Sequence, residues 1–196
     1  MRKFLIAATI FFMLSAQVEA AQFTREQMDK IFIAVEESPD SNLTFELNVE
    51  TLKEKFNGFV TPILQETMGT EDVSAMAHLF LIKDYKVFSK PDGDTFANIF
   101  GDYRVALIGN CAANGGNFKT LSLYYTTPEE KDESIFTIWL LTAFVKSIAP
   151  EVDVQNLMNE LTAENSSGTA IKDGVKFSIS ADGNLNVLTA TQKSNS

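Results

Sequence analysis

The stretch of sequence that decides the fold is residues 127–149, TPEEKDESIFTIWLLTAFVKSIA. Thr127 supplies a helix cap, Pro128 suits the first helical position, and the acidic residues that follow favour the positive end of a helix. Apolar side chains then cover nearly the whole circumference until Pro150, which cannot continue a helix. We therefore predict a long helix over about 128–149 that is buried on most sides.

Segments with the pattern of strands surround this helix and come in three pairs, each joined by a turn. The turns lie at 91–93 (PDG), 114–116 (NGG) and 182–183 (DG), where proline presets φ and glycine accepts positive φ. The paired segments are 79–88 with 95–100, 103–110 with 118–125, and 175–180 with 185–190. The sequence thus predicts an α+β fold, in which an antiparallel sheet of hairpins curls around the long helix.

A strand and two shorter helices are predicted between these parts. Residues 43–47 alternate apolar and polar side chains, as a half-buried strand does. A helix follows, capped by Asn48 or Thr51 and kinked or ended by Pro62. Another helix begins at Asp153 and has apolar residues at helical spacing.

Two aspects of the organisation stay open at this point. Residues 24–35 begin with the spacing of a capping box, yet their apolar run fits a helix or a strand. Residues 43–100 contain a helix followed by a hairpin, and residues 103–190 contain helices followed by a hairpin. The two ranges could therefore be related halves of one sheet.

The N-terminus has the pattern of a secretory signal peptide. Arg2 and Lys3 are basic, residues 4–14 are apolar, and residues 18–20 (VEA) fit a cleavage site. We expect cleavage after Ala20, a single mature domain over 21–196 with a disordered tail at 192–196, and a secreted or periplasmic location. An apolar run of this length does not span a bilayer, so no integral membrane span is expected after cleavage.

Charge and cysteine content exclude some classes of partner and cross-link. The net charge is −10, a sign that repels nucleic acid and anionic lipid surfaces. Cys111 is the single cysteine, so no intrachain disulfide can form and the fold must rest on its core. The alternation of residues 105–111 favours a buried position for Cys111, which makes a core role more probable than a reactive one.

The inventory of chemical groups assigns no catalytic, cofactor-binding or metal-binding residue. His78 is the only histidine and no Gly-x-Ser-x-Gly motif accompanies it, so serine–histidine hydrolysis has no support. One histidine and one cysteine give no zinc ligand set. Asp182, Asn184 and Asn186 fit the first half of a calcium-binding loop, but Val187 stands where glycine is required and Lys193 where the terminal glutamate is required. The acidic cluster in 129–133 is accounted for by the helix dipole.

The layout resembles that of small secreted bacterial proteins of unknown function. The resemblance rests on residues 48–57 (NVETLKEKFN), a capped helix opening, and on Ala149-Pro150 at the end of the hydrophobic helix. Gly174-Val175-Lys176 opens the closing hairpin in the corresponding place. The resemblance implies the fold. It implies no catalytic residues, because no catalytic site is established for that group of proteins.

These observations favour a non-enzymatic binding protein whose sheet face or edge contacts another envelope or extracellular protein. The alternative is a carrier that holds a small apolar ligand between the sheet and the long helix, using the 16 Phe, 4 Tyr and single Trp of the chain. A hydrolase with carboxylate chemistry is a distant third. The sequence does not determine the oligomeric state.

Overall fold

The computed structural model describes residues 22–36, 43–101, 104–128 and 131–193. The predicted signal peptide (1–20) and the end of the predicted tail (194–196) lie outside these ranges. Within them the chain combines helices with one seven-stranded antiparallel sheet, which confirms the predicted α+β class. No helix in these ranges is long and apolar enough to cross a bilayer.

The helices follow most of the predicted segments. Residues 24–35, which the sequence left open, form a helix, and Thr24 and Gln27 make the reciprocal hydrogen bonds of a capping box (2.8 and 3.2 Å). Asn48 caps the second helix, since its side chain accepts the backbone N–H of Thr51. The helices are α1 (Arg25–Glu36), α2 (Val49–Met68), α3 (Ser74–Ala77), α4 (Lys131–Ile148) and α5 (Val154–Thr162).

The strands form one continuous sheet in the order β1-β2-β3-β4-β7-β6-β5. The three predicted hairpins are present as β1–β2, β3–β4 and β6–β7. The strands are β1 (Lys86–Lys90), β2 (Gly93–Phe100), β3 (Val105–Cys111), β4 (Phe118–Thr126), β5 (Thr169–Lys172), β6 (Val175–Asp182) and β7 (Leu185–Gln192). β5 was not predicted, because four residues carry too short an alternation to be recognised.

The sheet has helices on both faces. On one, which we call the core face, α2 and α4 pack together over the large side chains of the sheet, and Phe56 of α2 stacks on Phe100 with ring centroids 5.4 Å apart. On the opposite face, which we call the α1 face, Phe23 and Ile31 pack against Ile108 and neighbouring side chains.

The burial of α4 is only in part what the sequence predicts. Leu140 and Phe144 are fully buried, whereas Phe136 and Trp139 are only partly buried. The helix lies on one face of the sheet beside α2, so burial around nearly its whole circumference is not confirmed. Nor is the division into two related halves over 43–100 and 103–190 confirmed: of the described strands, the first range contributes two to the sheet and the second contributes five.

Residues 43–47 do not form the predicted strand. Phe45 and Leu47 are buried and Glu46 is exposed, as expected, but Leu43 is exposed. Phe45 N–H donates to the Phe118 carbonyl, and Phe118 N–H donates to the Leu47 carbonyl (2.8 Å each). The pairing of β4 with β7 begins only at Thr120. The segment therefore lies beside the two residues at the start of β4, 118 and 119, that β7 does not pair with, a stretch too short for a ladder.

The predicted strand over 79–88 begins seven residues late, at Lys86. Asn57 of α2 takes both backbone groups of Ile82, donating to its carbonyl (3.1 Å) and accepting its N–H (2.8 Å). The N–H and C=O of Ile82 are therefore not available for pairing with another strand, and Ile82 is anchored to α2 instead.

Two smaller predictions need correction. Pro62 does not end α2, one of the two effects expected of it, because the helix continues to Met68 and buried Val60 and Leu64 on either side hold it against the core. The predicted tail begins too early, since Gln192 belongs to β7 and Lys193 N–H donates to the Gly174 carbonyl (2.9 Å).

Candidate functional site

Strand β1 forms one edge of the sheet and pairs with β2 alone among the described strands. The turn that joins them is held close to β3: a Cβ at Gly93 would lie 2.4 Å from the carbonyl oxygen of Cys111, and its φ is 154°. Only glycine fits there. The glycine of the PDG turn therefore allows the β1–β2 hairpin to lie close to β3, in addition to its role in reversing the chain.

The register of this hairpin determines which backbone groups face outward. Lys90 pairs with Gly93 across a two-residue loop, so these two residues exchange both of their hydrogen bonds. Hydrogen-bonded and non-hydrogen-bonded pairs alternate along an antiparallel ladder. Val87 and Ser89 therefore direct their N–H and C=O groups away from β2, toward the open edge.

The side chains of β1 are exposed on both faces of the sheet. Val87, on the core face, is 45% exposed, and Phe88, on the α1 face, is 42% exposed. Lys86 and Lys90 lie at the two ends of the strand, on the same face as Phe88. A sheet edge that has no neighbouring strand among the described residues and whose apolar side chains are exposed is a surface to which another strand can add.

A groove of about 270 Å³ borders β1 on the core face, between the strand and the start of α2. Its wall includes Tyr85, whose hydroxyl donates to Glu50 Oε1 (2.9 Å) and whose ring packs against Phe96 (5.3 Å between centroids). That hydrogen bond raises the pKa of the Tyr85 hydroxyl. Lys53 Nζ lies over the Tyr85 ring, 5.6 Å from its centroid, at cation–π distance.

Asp94 and Cys111 form the floor of this groove and are both buried. Asp94 Oδ2 accepts the N–H of Gly115 (2.9 Å), which ties the β1–β2 hairpin to the 114–116 turn. Burial, together with the charge of Asp94, raises the pKa of the Cys111 thiol to about 12. Thiolate is the nucleophilic form of cysteine, so Cys111 is a core residue here, as the sequence predicts.

The other edge strand, β5, differs from β1 in its surroundings. Ile171 of β5 is 50% exposed, but α5 packs beside the strand and Lys172 forms an ion pair with Glu160 of that helix (2.5 Å). β5 also has only four residues. Helical cover is one way in which proteins protect a sheet edge, and among the described elements only β2 packs extensively against β1.

His78 lines a second, open groove of about 410 Å³ beside α3 and is itself exposed. Asp72 in this groove accepts hydrogen bonds from the backbone N–H (3.1 Å) and the hydroxyl (2.6 Å) of Ser74, which lower the pKa of its carboxyl. Ser74 thus directs its proton to the carboxylate and not to His78, unlike the serine of a hydrolytic triad.

The residues of the partial calcium pattern have separate structural partners. Asp182 forms an ion pair with Lys30 of α1, Asn184 accepts a hydrogen bond from Gln27, and Asn186 donates to Thr127 (2.9 Å). They fasten α1 and the entry to α4 to the last hairpin, a role that sequence analysis missed because all three partners are distant in sequence. The acidic residues Glu129 and Glu130 lie outside the described ranges.

Two other kinds of site bear on function, a metal site and a site for an apolar ligand. Across the described ranges, no group of three or more His, Cys, Asp and Glu residues could hold a metal ion. Two aromatic rings of α4 contact the buried Phe80, which follows α3: Phe80 lies 4.6 Å from Phe136 and 5.4 Å from Trp139, centroid to centroid. These rings act as core there, and the carrier hypothesis stays a prediction.

Comparison with known proteins gives no lead on function. No protein-family model matches the chain, and neither the curated proteins nor the solved structures contain a significant match.

Proposed function

We propose that this protein is a secreted or periplasmic, non-enzymatic binding protein that pairs an extended segment of another protein with the edge of β1. The observation that carries the proposal is the exposure of Val87 and Phe88 on opposite faces of a strand that pairs with β2 alone among the described strands. Strand addition uses the outward backbone groups for affinity and the alternating side chains for specificity.

Several features suit the edge to this role. It is five residues long, which allows pairing at both outward positions, Val87 and Ser89. The hairpin is held rigid by the Gly93 and Asp94 contacts, so little ordering entropy would be lost by the receiving strand. The groove beside Val87 offers room for a side chain of the partner on the core face.

The test removes an outward N–H without disturbing the inner ladder. In Ser89→Pro the lost donor points to the open edge, and proline is tolerated on edge strands. Capture of a partner from envelope extract or medium by the immobilised mature protein should fall by at least about tenfold, a loss of about 1.4 kcal/mol, on removal of one or two hydrogen bonds.

The matched control is Ala181→Pro, together with the unfolding curve of each variant. Ala181 is exposed on β6, and by the same alternation, counted from the Asp182–Leu185 pair, its N–H points away from β7. Capture of the same partner by wild type and by a folded Ser89→Pro variant in equal amounts would show that β1 is not the binding edge. If Ala181→Pro does not fold, Lys176→Thr serves as the control, since Lys176 is exposed on the same strand.

A further inference from the structure

We propose that the strand accepted by β1 carries a lysine or arginine on the core face of the sheet, and that this side chain forms an ion pair with Asp94 in the groove beside β1. This inference rests on the proposed function and specifies the partner of that same edge. Three observations carry it: the burial of Asp94, its place in the groove, and the small side chain of Ser89 between Asp94 and the open edge.

Asp94 is a buried carboxylate that has no counter-ion among the described residues. It is only 7% exposed, and the hydrogen bond that its side chain accepts comes from a neutral group, the backbone N–H of Gly115 (2.9 Å). The ion pairs of the described residues involve other carboxylates. A buried charge is costly unless an opposite charge pairs with it, and a carboxylate can accept several hydrogen bonds. A cation supplied by a partner would therefore be attracted to Asp94.

The walls of the groove suit a long basic side chain. Val49, Tyr85 and Val87 contribute apolar surface that can cover an alkyl stem. Glu50 adds a second carboxylate, which accepts the Tyr85 hydroxyl. None of the described residues that line the groove is basic. Apolar walls with a carboxylate at the floor favour a side chain that combines an alkyl stem with a positive head.

The register of the edge hairpin brings a side chain of the added strand within reach of Asp94. Ser89 pairs with Asp94, so both side chains lie on the core face, as does that of Val87. A strand added to β1 would lie two strand spacings from β2, about 9.5 Å. Its residue opposite Ser89 would cross only that small side chain to reach Asp94, and Lys and Arg extend over a surface in this way.

A second copy of this chain does not supply such a side chain. If two β1 strands pair antiparallel with their core faces on the same side, each copy presents Val87 and Ser89 on that face. Neither residue is basic, so Asp94 of each copy would still lack a counter-ion. The inferred occupant is therefore a basic extended segment of a different protein, and the net charge of −10 attracts such a segment from a distance.

The experiment compares three synthetic peptides that differ only in their central residue, TTVKVTT, TTVMVTT and TTVEVTT. In an extended strand the central side chain projects from one face and the two valines from the other. Binding to the isotopically labelled mature protein is followed by the amide NMR signals of residues 86–90 and of Asp94. We expect the lysine peptide to bind about tenfold more tightly than the methionine peptide, because its ammonium group forms a charge-assisted hydrogen bond with Asp94. The glutamate peptide should bind most weakly.

A variant of Asp94 tests the origin of this preference. Asp94→Asn keeps an acceptor for the Gly115 N–H but removes the charge, so the preference for lysine over methionine should fall to about twofold or less. The matched control Asp173→Asn makes the same substitution at an exposed position in the turn between β5 and β6, and it should keep the tenfold preference.

A second variant covers the case in which Asp94→Asn does not fold. Ser89→Lys places a cation of the chain itself directly opposite Asp94, where it occupies the site and should abolish the preference for the lysine peptide. Its control is Ser180→Lys, which adds the same charge at an exposed position on β6 and should keep the preference.

Equal binding of the lysine and methionine peptides, or a preference for lysine that survives in a folded Asp94→Asn variant, would overturn the inference. If equal binding of the peptides is lost in Ser89→Pro, the proposed edge stands and only its selectivity for a basic residue is wrong. Binding of none of the three peptides overturns the inference as well, and partner capture by Ser89→Pro then decides separately whether the edge binds. A dimer in sedimentation that Ser89→Pro abolishes would identify a second copy as the occupant instead.

Discussion

Single residues in this protein decide where strands begin and how closely elements approach. Asn57 binds both backbone groups of Ile82 and so delays β1 to Lys86. Gly109 of β3 acts through size, since a Cβ there would lie 2.3 Å from the ring of Phe118. Neither effect follows from the propensity of the residue, because each depends on a partner from another segment of the chain.

Cys111 provides a prediction at this scale, through the pH dependence of stability. An unfolded thiol ionises near pH 8.5, whereas burial raises the pKa of Cys111 to about 12. As pH rises, the unfolded chain loses its proton first, so the stability contributed by the protonated thiol is complete below about pH 8.5 and falls above it. The loss should approach about 1.4 kcal/mol per pH unit between those values.

Urea unfolding of wild type and Cys111→Ala between pH 7 and 10.5 measures this loss. Lysines and tyrosines titrate in both proteins, so the difference between the two unfolding free energies isolates the thiol. We expect that difference to decrease with pH. A difference independent of pH would mean that the thiol ionises equally in the folded and unfolded states.

Among the elements, α1 shows how one amphipathic helix is fixed to a sheet face. Ile31 is 2% exposed against Ile108 and its neighbours, whereas Ile33, two residues on, is 56% exposed. Polar contacts at the last hairpin, from Gln27 to Asn184 and from Lys30 to Asp182, set the position of the helix. The ion pair is exposed, so packing provides most of the stabilisation.

This account predicts different costs for two chemically identical substitutions. Ile31→Ala should lower the free energy of unfolding by about 2–5 kcal/mol, because it removes buried methyl groups and leaves a cavity. Ile33→Ala should change it by no more than about 0.5 kcal/mol, because the side chain is largely in water. Urea unfolding of both variants checks this, and equal effects would contradict the docking of α1 on the sheet.

At the scale of the whole molecule, the proposed location concerns residues 1–20, which lie outside the described ranges. Protein isolated from the envelope or medium of its source should begin at Ala21 or an adjacent residue, as N-terminal sequencing or intact mass would show. Replacing Phe11 and Phe12 with Asp interrupts the apolar run and should block this processing. Intact Met1 on protein recovered from the cytosol would refute the secretory proposal.

Local signals determined much of this fold from sequence alone. The turns at 91–93, 114–116 and 182–183 predict three hairpins because glycine and proline limit φ within the turn itself. The caps Asn48 and Asp153 predict helix starts, since a cap acts on amides within three residues. These interactions connect neighbours in sequence, and their patterns can be read without knowing the rest of the structure.

The order of the strands was decided only by the tertiary structure. β4 pairs with β7, so Thr120 faces Thr191. This pairing joins all the strands into one sheet, although α4, α5, β5 and β6 lie between β4 and β7 in sequence. It leaves β1 at one edge, which is why Val87 and Phe88 are exposed and why the candidate site lies there. The local sequence pattern of a strand is the same whether the strand lies in the middle of a sheet or at its edge. Pairing between segments that are distant in sequence determines which strand lacks a neighbour, so the position of β1 could not be predicted from its own residues.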